Sequence, residues 1–308
     1  MAIGSRLRHV VESQQFSRPL LEELLDRADE IKSQPHRFSG RLAGQVMAAL
    51  FYEPSTRTRL SFEAAMLRLG GDTMSTDNAR EFSSAAKGET LEDSIRIVSG
   101  YADVIVLRHN EEGAAKRAAA VSSVPVINAG DGPGQHPTQA LLDLYTIRDE
   151  LGHIDGLHIA MVGDLANGRT VRSLAYLLGK FRDIRISFVA PPQVAMRDDI
   201  KSHLDEHHVS WVETQDLDAV LPQVDVIYQT RIQKERFSDE AAYLAVKGVY
   251  RIDLSTLEHM RKEAIVMHPL PRVDEIAPEV DADPRAAYFR QARNGLYIRM
   301  ALLDKVLG

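Results

Sequence analysis

Phe51-Tyr52-Glu53-Pro54-Ser55-Thr56-Arg57-Thr58-Arg59-Leu60-Ser61-Phe62 is the stretch on which the fold turns. It closes the apolar run Val46–Tyr52, which reads as a strand, and opens a helical pattern carried by Phe62, Ala65, Met66 and Leu69. Gly70-Gly71 stops that helix. A strand feeding directly into a helix is the repeating step of α/β architecture. Three hydroxyls and two arginines crowd the turn between them. Ser55 has the chemistry of an ordinary N-cap, but an arginine in a first helical turn opposes the macrodipole. Unpaired N–H groups and the positive dipole end make a helix N-terminus an anion site, and an anion there would account for the arginine. Residues 57 and 59 point to different sides of a helix, and Arg57 is the one assigned to the ligand.

The same step recurs along the chain. Strand-like runs at Asp103–Arg108 and Val124–Asn128 complete a first series, and Leu157–Val162, Arg185–Val189, Val209–Val212, Val224–Tyr228 and Ala264–Met267 form a second. Residues 18–34 have amphipathic helical spacing, Thr138–Leu151 is a long helix between the series, and Phe289, Ala292, Leu296, Met300, Leu303 and Val306 mark a closing helix. These patterns predict an α/β chain of two domains, 1–150 and 151–287, each a mainly parallel sheet flanked by helices. A length of 308 residues and a mass of 34.3 kDa suit two such domains. The polar segments Asp72–Glu89 and Ile232–Tyr243 are expected to be long connections, and long connections often carry site residues.

Composition narrows the function classes. Hydrophobic residues are 44% and charged residues 26%, and no apolar run approaches the ~18 residues of a membrane span. Met1–Val10 has two arginines and no apolar core, so a secretory leader is not expected. With zero cysteines there is no disulfide, thiolate metal site or cysteine nucleophile; that count leaves localisation open, and a reducing cytoplasm fits best. The net charge of −7 argues against nucleic acid as a partner.

Other candidates sit where strands end. In Asn128-Ala129-Gly130-Asp131-Gly132-Pro133-Gly134-Gln135-His136-Pro137-Thr138-Gln139 a glycine-rich turn leads into a helix, with His136 and Gln139 placed to hydrogen-bond a carbonyl or amide. Arg108 and Arg231 follow strands, and Arg169 follows a strand and precedes a helix. Each alone has the chemistry of a salt-bridge partner, but four arginines at carboxyl ends of strands fall on the edge where open α/β sheets bind ligands. No dinucleotide fingerprint occupies the Gly163–Gly168 turn, which disfavours a nicotinamide oxidoreductase, and no P-loop or hydrolase elbow occurs. His203, His207 and His208 read as a solvated helix face rather than a metal site. In His268-Pro269-Leu270-Pro271-Arg272 two prolines forbid a helix and leave carbonyls free to accept from an amide-like NH2.

Together these residues resemble the aspartate carbamoyltransferase family over nearly the whole chain. Ser55-Thr56-Arg57-Thr58-Arg59 is similar to the carbamoyl-phosphate signature of transcarbamylases, and His136-Pro137-Thr138-Gln139, Thr230-Arg231-Ile232-Gln233-Lys234-Glu235-Arg236 and His268-Pro269-Leu270-Pro271-Arg272 are similar to its aspartate-specific branch. The resemblance implies transfer of a carbamoyl group from carbamoyl phosphate to L-aspartate in pyrimidine synthesis, without cofactor or metal. It implies a closing helix, 288–308, packed back on the N-terminal domain, and a homotrimer with shared sites, open to higher assembly with regulatory or other pyrimidine-pathway subunits. Ser55, Thr56, Arg57 and Thr58 would hold phosphate, and Thr58, Arg108 and His136 would polarise the carbonyl. Gln139 and the carbonyls of Leu270 and Pro271 would hold the carbamoyl NH2. Arg169, Arg231 and Gln233 would receive aspartate, with Ser83 and Lys87 reaching across from an adjacent subunit. Ala86 stands where some relatives carry a second lysine.

An ornithine-specific relative would share only the phosphate motif. That branch carries cysteine in its His-Pro and Leu-Pro motifs, and Arg169 and Arg231 would repel a cationic diamine. A catalytically dead homologue should have lost some of Arg57, Lys87, Arg108 or His136, and all are present. Clustered arginines can focus an attractive field on anions despite the acidic whole.

Overall fold

The computed structural model of the chain describes residues 7–79, 87–232, 240–244 and 246–308. Two compact units emerge: the chain up to Leu141 together with Arg293–Gly308, and Leu142–Ala292. Among the described residues no helix is long and apolar enough to cross a membrane.

Unit one is a parallel sheet of β1 (Val46–Phe51), β2 (Asp72–Thr76), β3 (Val104–His109) and β4 (Val126–Asp131), in the order β2-β1-β3-β4. Helices Thr56–Arg68, Leu91–Val98 and Ala114–Val121 make the crossovers. The central strands are almost wholly buried, as strands covered on both faces must be. Ala48, Leu50, Ile105 and Leu107 pack with Ile95, Ala114 and Ala118. The closing helix, Tyr288–Leu307, returns its last turns to this unit. There Asp304, buried, accepts from Arg41 Nε at 2.6 Å and pairs with Arg27 Nε at 3.5 Å. Arg299 lies over the Phe62 ring, 5.0 Å from its centroid.

Unit two is a second parallel sheet: β5 (His158–Val162), β6 (Arg185–Val189), β7 (Ser210–Thr214), β8 (Val226–Gln229) and β9 (Ile265–Met267), in the order β7-β6-β5-β8-β9. Val162, Val189, Ile227, Val266, Ile252 and Tyr288 belong to its core.

One expectation changes. The segment Asp72–Glu89 does not begin as a connection, because Asp72–Thr76 forms β2. As an edge strand with mostly exposed or half-buried side chains it needs no apolar run, so its sequence looks like a loop. The units part at Leu141/Leu142 and Ala292/Arg293, inside helices Pro137–Leu151 and Tyr288–Leu307. Within unit two a buried polar junction ties both helix segments to β8: Asp143 accepts from Tyr228 Oη at 2.7 Å and from Gln291 Nε2 at 2.7 Å.

In both sheets the strand order reverses once. β1 leads outward to β2 and then back across to β3, and β5 leads outward through β6 and β7 before β8 pairs on its other side. At the second reversal the backbones of Gly163 and Thr230 approach too closely for a side chain on Gly163. Thr230 donates from N and Oγ1 to the Val162 carbonyl at 2.8 and 2.9 Å, and Gly163 has φ +112°. A Cβ on Gly163 would stand 2.5 Å from the Thr230 carbonyl oxygen. Gly163→Ala should therefore destabilise unit two by about 3 kcal/mol. Urea unfolding followed by Trp211, the chain's one tryptophan and a β7 residue, measures this, and an unchanged midpoint would contradict it.

Candidate active site

At the first reversal β1 and β3 lie side by side, with Phe51 in register with Arg108 and Tyr52 N donating to the Arg108 carbonyl at 2.8 Å. In open α/β sheets the carboxyl ends at such a reversal are where ligands bind. Ser55 caps helix Thr56–Arg68 by backbone position alone, since its hydroxyl makes no capping bond and no acidic residue lies in the first turn. Helix Leu91–Val98 shows the usual solution: Thr90 Oγ1 accepts from Asp93 N at 3.2 Å, and Glu92 and Asp93 sit in its first turn. The Ser55 end instead offers uncapped N–H groups beside a cation, the arrangement that receives an oxyanion.

The two arginines of that turn differ in their surroundings. Arg59 is committed to protein, with Asp77 at 3.3 Å, Glu63 at 3.7 Å and Ser75 Oγ at 3.2 Å. Arg57 is exposed and forms no ion pair among the described residues. Thr58 is buried beside it in the sequence, and its carbonyl accepts from Ser61 Oγ at 2.9 Å.

Arg108 projects from the end of β3, donating Nη1 to the Ala129 carbonyl at 3.2 Å and lying 3.5 Å from Glu53. Beyond β4 the turn is built around Asp131. Its Oδ1 accepts from Gln135 N at 2.9 Å and Asn128 Nδ2 at 3.1 Å, and its Oδ2 accepts from Gly113 N at 3.0 Å. Gly132, at φ +50°, lets the chain pass where a Cβ would be 2.5 Å from the Asn110 carbonyl. The turn delivers His136 and Gln139, both buried, to the start of helix Pro137–Leu151, where His136 Nδ1 lies 3.4 Å from Thr138 Oγ1. Unit one thus gathers Ser55–Thr58, Arg108, His136 and Gln139 at the carboxyl ends of β1, β3 and β4.

Unit two repeats the pattern at its own reversal. After β5, Asp164 Oδ1 accepts from Asn167 N and Nδ2 at 3.0 and 3.1 Å, and the turn ends at Arg169, the first residue of helix Arg169–Leu178. Gly168 caps this helix without a side chain, and again no acid occupies the first turn. After β8, Arg231 lines a cleft of about 260 Å³ with Gly163, Thr230, Lys247, Tyr250 and Glu275. Arg169 is not among its walls. Leu270, half-buried, and Pro271, exposed, follow β9. Lys87 is exposed, and Ser83 and Gln233 lie outside the described residues.

His203, Glu206 and His207 bring their donor atoms within 4.8 Å of one another. The His203 ring donates to the Tyr176 carbonyl, and its Nε2 is shut away from solvent, 3.1 Å from where a Gly179 Cβ would sit. That lone pair faces protein, so the group is a packed helix end.

Sequence reading missed the carboxylates that build the turns. Asp131 and Asp164 lie inside glycine-rich stretches, and their spacing to glycine was the available signal for an Asx-type turn.

Residues 8–149 match the family model described as the carbamoyl-P binding domain of aspartate/ornithine carbamoyltransferase, and residues 155–306 match its Asp/Orn binding domain. A chloroplastic aspartate carbamoyltransferase of Oryza sativa subsp. japonica is 60% identical over 315 residues, covering 100% of this chain and 87% of the relative. The crystal structure of aspartate transcarbamoylase from Trypanosoma cruzi in complex with carbamoyl aspartate and phosphate superposes with a TM-score of 0.92 at 44% identity, covering 98% of this chain and 96% of that one. The catalytic subunit of M. jannaschii aspartate transcarbamoylase gives a TM-score of 0.90 at 48% identity, covering 97% and 98%.

Calorimetric titration with inorganic phosphate separates the two arginines. Arg57→Ala should weaken phosphate binding roughly 10- to 100-fold, the loss of a charge-assisted hydrogen bond. Arg59→Ala should change it less than about threefold, because its charge is already satisfied by carboxylates. Equal losses would contradict the assignment of the anion to the Arg57 side.

Proposed function

The chain belongs to the aspartate/ornithine carbamoyltransferase family, and from that premise we propose how its residues divide the work of catalysis. It is a transferase: the carbamoyl group of carbamoyl phosphate passes to the amino group of L-aspartate, giving N-carbamoyl-L-aspartate and phosphate. The observation that carries the residue assignment is the uncapped, cationic helix N-terminus at the β1–β3 reversal.

In the proposed roles, the N–H groups and hydroxyls of Ser55, Thr56 and Thr58 cradle the phosphate, with Arg57 as its counter-charge. The amine nitrogen of aspartate attacks the carbamoyl carbon, and a tetrahedral oxyanion forms. Thr58, Arg108 and His136 donate to that oxygen, and a donor of this kind is commonly worth about 3–4 kcal/mol of barrier. Gln139 accepts from the carbamoyl NH2 through its side-chain oxygen, as do the carbonyls of Leu270 and Pro271. The carbon–oxygen bond to phosphate then breaks, phosphate leaves with the electron pair, and it can take the amine proton. No protein base and no covalent intermediate are needed, so positioning and charge stabilisation carry the rate. Arg169, Arg231 and Gln233 receive the two aspartate carboxylates.

A homotrimer whose sites borrow Ser83 and Lys87 from a neighbouring subunit is part of the proposal. So are entry of the product into pyrimidine synthesis and a cytoplasmic location, which cell fractionation checks. The M. jannaschii relative is named a catalytic subunit, which supports an assembly.

Incubation with carbamoyl phosphate and either L-aspartate or L-ornithine should yield carbamoyl aspartate and no citrulline; citrulline as the main product would overturn the substrate reading. Arg231→Ala should raise the aspartate KM roughly 10- to 100-fold and that for carbamoyl phosphate far less. Equal effects on both would remove Arg231 from the aspartate site. Separately inactive Arg57→Ala and Lys87→Ala chains, dissociated and reassociated together, should regain activity through sites built from two intact faces. No recovery would reject shared sites.

A further inference from the structure

The loop His268–Glu275 is closed by its own end residues. Leu270 N donates to His268 Nδ1 at 2.8 Å. An amide N–H can only donate, so Nδ1 is the bare nitrogen and Nε2 carries the proton. Nε2 in turn donates to Glu275 Oε1 at 2.8 Å. The other carboxylate oxygen, Oε2, accepts from Val273 N at 3.1 Å and Asp274 N at 3.2 Å. Both side chains are almost fully buried. Burial pushes the Glu275 carboxyl up, but the hydrogen bonds from His268 and from backbone N–H groups outweigh it and hold its pKa below the usual carboxylate value.

A second layer orients the first. His268 N donates to Gln291 Oε1 at 2.8 Å, Gln291 Nε2 donates to Asp143 Oδ1 at 2.7 Å, and Tyr228 Oη donates to Asp143 Oδ2 at 2.7 Å. Every partner in this chain is directional: reversing the Gln291 amide would set donor against donor and acceptor against acceptor. The relay therefore has one arrangement, running from β8 through two helices to the loop after β9. Its output is Leu270, held at φ +47° in the left-handed region that a leucine rarely adopts. A leucine stays there only when its surroundings over-determine it, and the Leu270 N–H bond to His268 is one such constraint.

We propose that His268 and Glu275 are positioning residues for carbamoyl transfer: the His268–Glu275 clasp fixes the Leu270 peptide so that its carbonyl faces the carbamoyl NH2. This rests on the role given above to the Leu270 carbonyl. Neither side chain touches substrate; they act through the direction of that one backbone acceptor. Misplacement by about 1 Å at a reacting centre can cost on the order of 100-fold in rate.

The two halves of the clasp can be broken separately. In His268→Asn the side-chain oxygen still accepts from Leu270 N but cannot reach Glu275. In His268→Gln the amide still donates to Glu275 but leaves Leu270 N unpaired. The account expects His268→Gln to lower kcat about 30-fold or more and His268→Asn less than about fivefold, with the aspartate KM within about threefold in both. Arg231 is untouched in each, hence the stable KM. Glu275→Gln keeps an acceptor for His268 but turns an NH2 toward the Val273 and Asp274 N–H donors, and should lower kcat roughly tenfold. Thermal unfolding of each variant accompanies the kinetics. If His268→Gln does not fold, Glu275→Gln decides: an unchanged kcat overturns the proposal. Equal kcat losses in the Asn and Gln variants of His268, or an aspartate KM that rises as kcat falls, also overturn it. A parent chain that makes no carbamoyl aspartate overturns the functional reading and this proposal with it. A parent that turns over while His268→Gln keeps its kcat overturns this proposal alone.

Discussion

A parallel sheet whose strand order reverses cannot cover both strands at the reversal with the same crossover. The loops leaving those two strands run to opposite faces, and the carboxyl ends between them stay open. Each unit has one such reversal, β1 beside β3 and β5 beside β8. The rest of the functional geometry depends on these two openings, because helices begin there and bring uncapped N–H groups with them. The chain places cations at both starts, Arg57 and Arg169, against the local preference for acids, which is worth about 0.3–1 kcal/mol at a helix N-terminus. Helix Leu91–Val98, which starts elsewhere, keeps the ordinary threonine cap and acidic first turn. At both openings a bound anion would offset that local electrostatic cost.

Openings alone would leave loops free to move. Buried polar side chains remove that freedom: Asp131 ties the turn before His136, Asp164 ties the turn before Arg169, and the His268–Glu275 clasp ties the loop carrying Leu270. In each case a side chain near the start or end of the loop satisfies backbone donors that no sheet or helix can reach. A reaction that needs no covalent intermediate depends on such rigidity, since orientation supplies much of the rate.

Much of this was legible in the sequence for a physical reason. Strands buried on both faces must be continuous apolar runs, so β1, β3, β5 and β8 announce themselves. The edge strand β2 does not, because its exposed positions carry Thr, Ser and Asp. Helix geometry separated Arg57 from Arg59, but the carboxylates that bind Arg59 became visible only with Asp77 folded beside it. The relay through Asp143, Gln291 and His268 was not legible at all. Its members are ordinary polar residues, and Gln291 bonds a partner 148 positions away. The net charge of −7 misleads for the same reason, since composition averages over surface pairs such as Lys305–Glu23 and the arginines at the openings.

The central claim is that both strand-order reversals are anion sites, and a crystal structure of this chain grown with carbamoyl aspartate and phosphate tests it most directly. The account predicts phosphate on the N–H groups of Thr56, Arg57 and Thr58 with the Arg57 guanidinium against it, and the product's carboxylates at Arg231. Phosphate seated on the Arg59 side, or product bound away from the ends of β5 and β8, would contradict it.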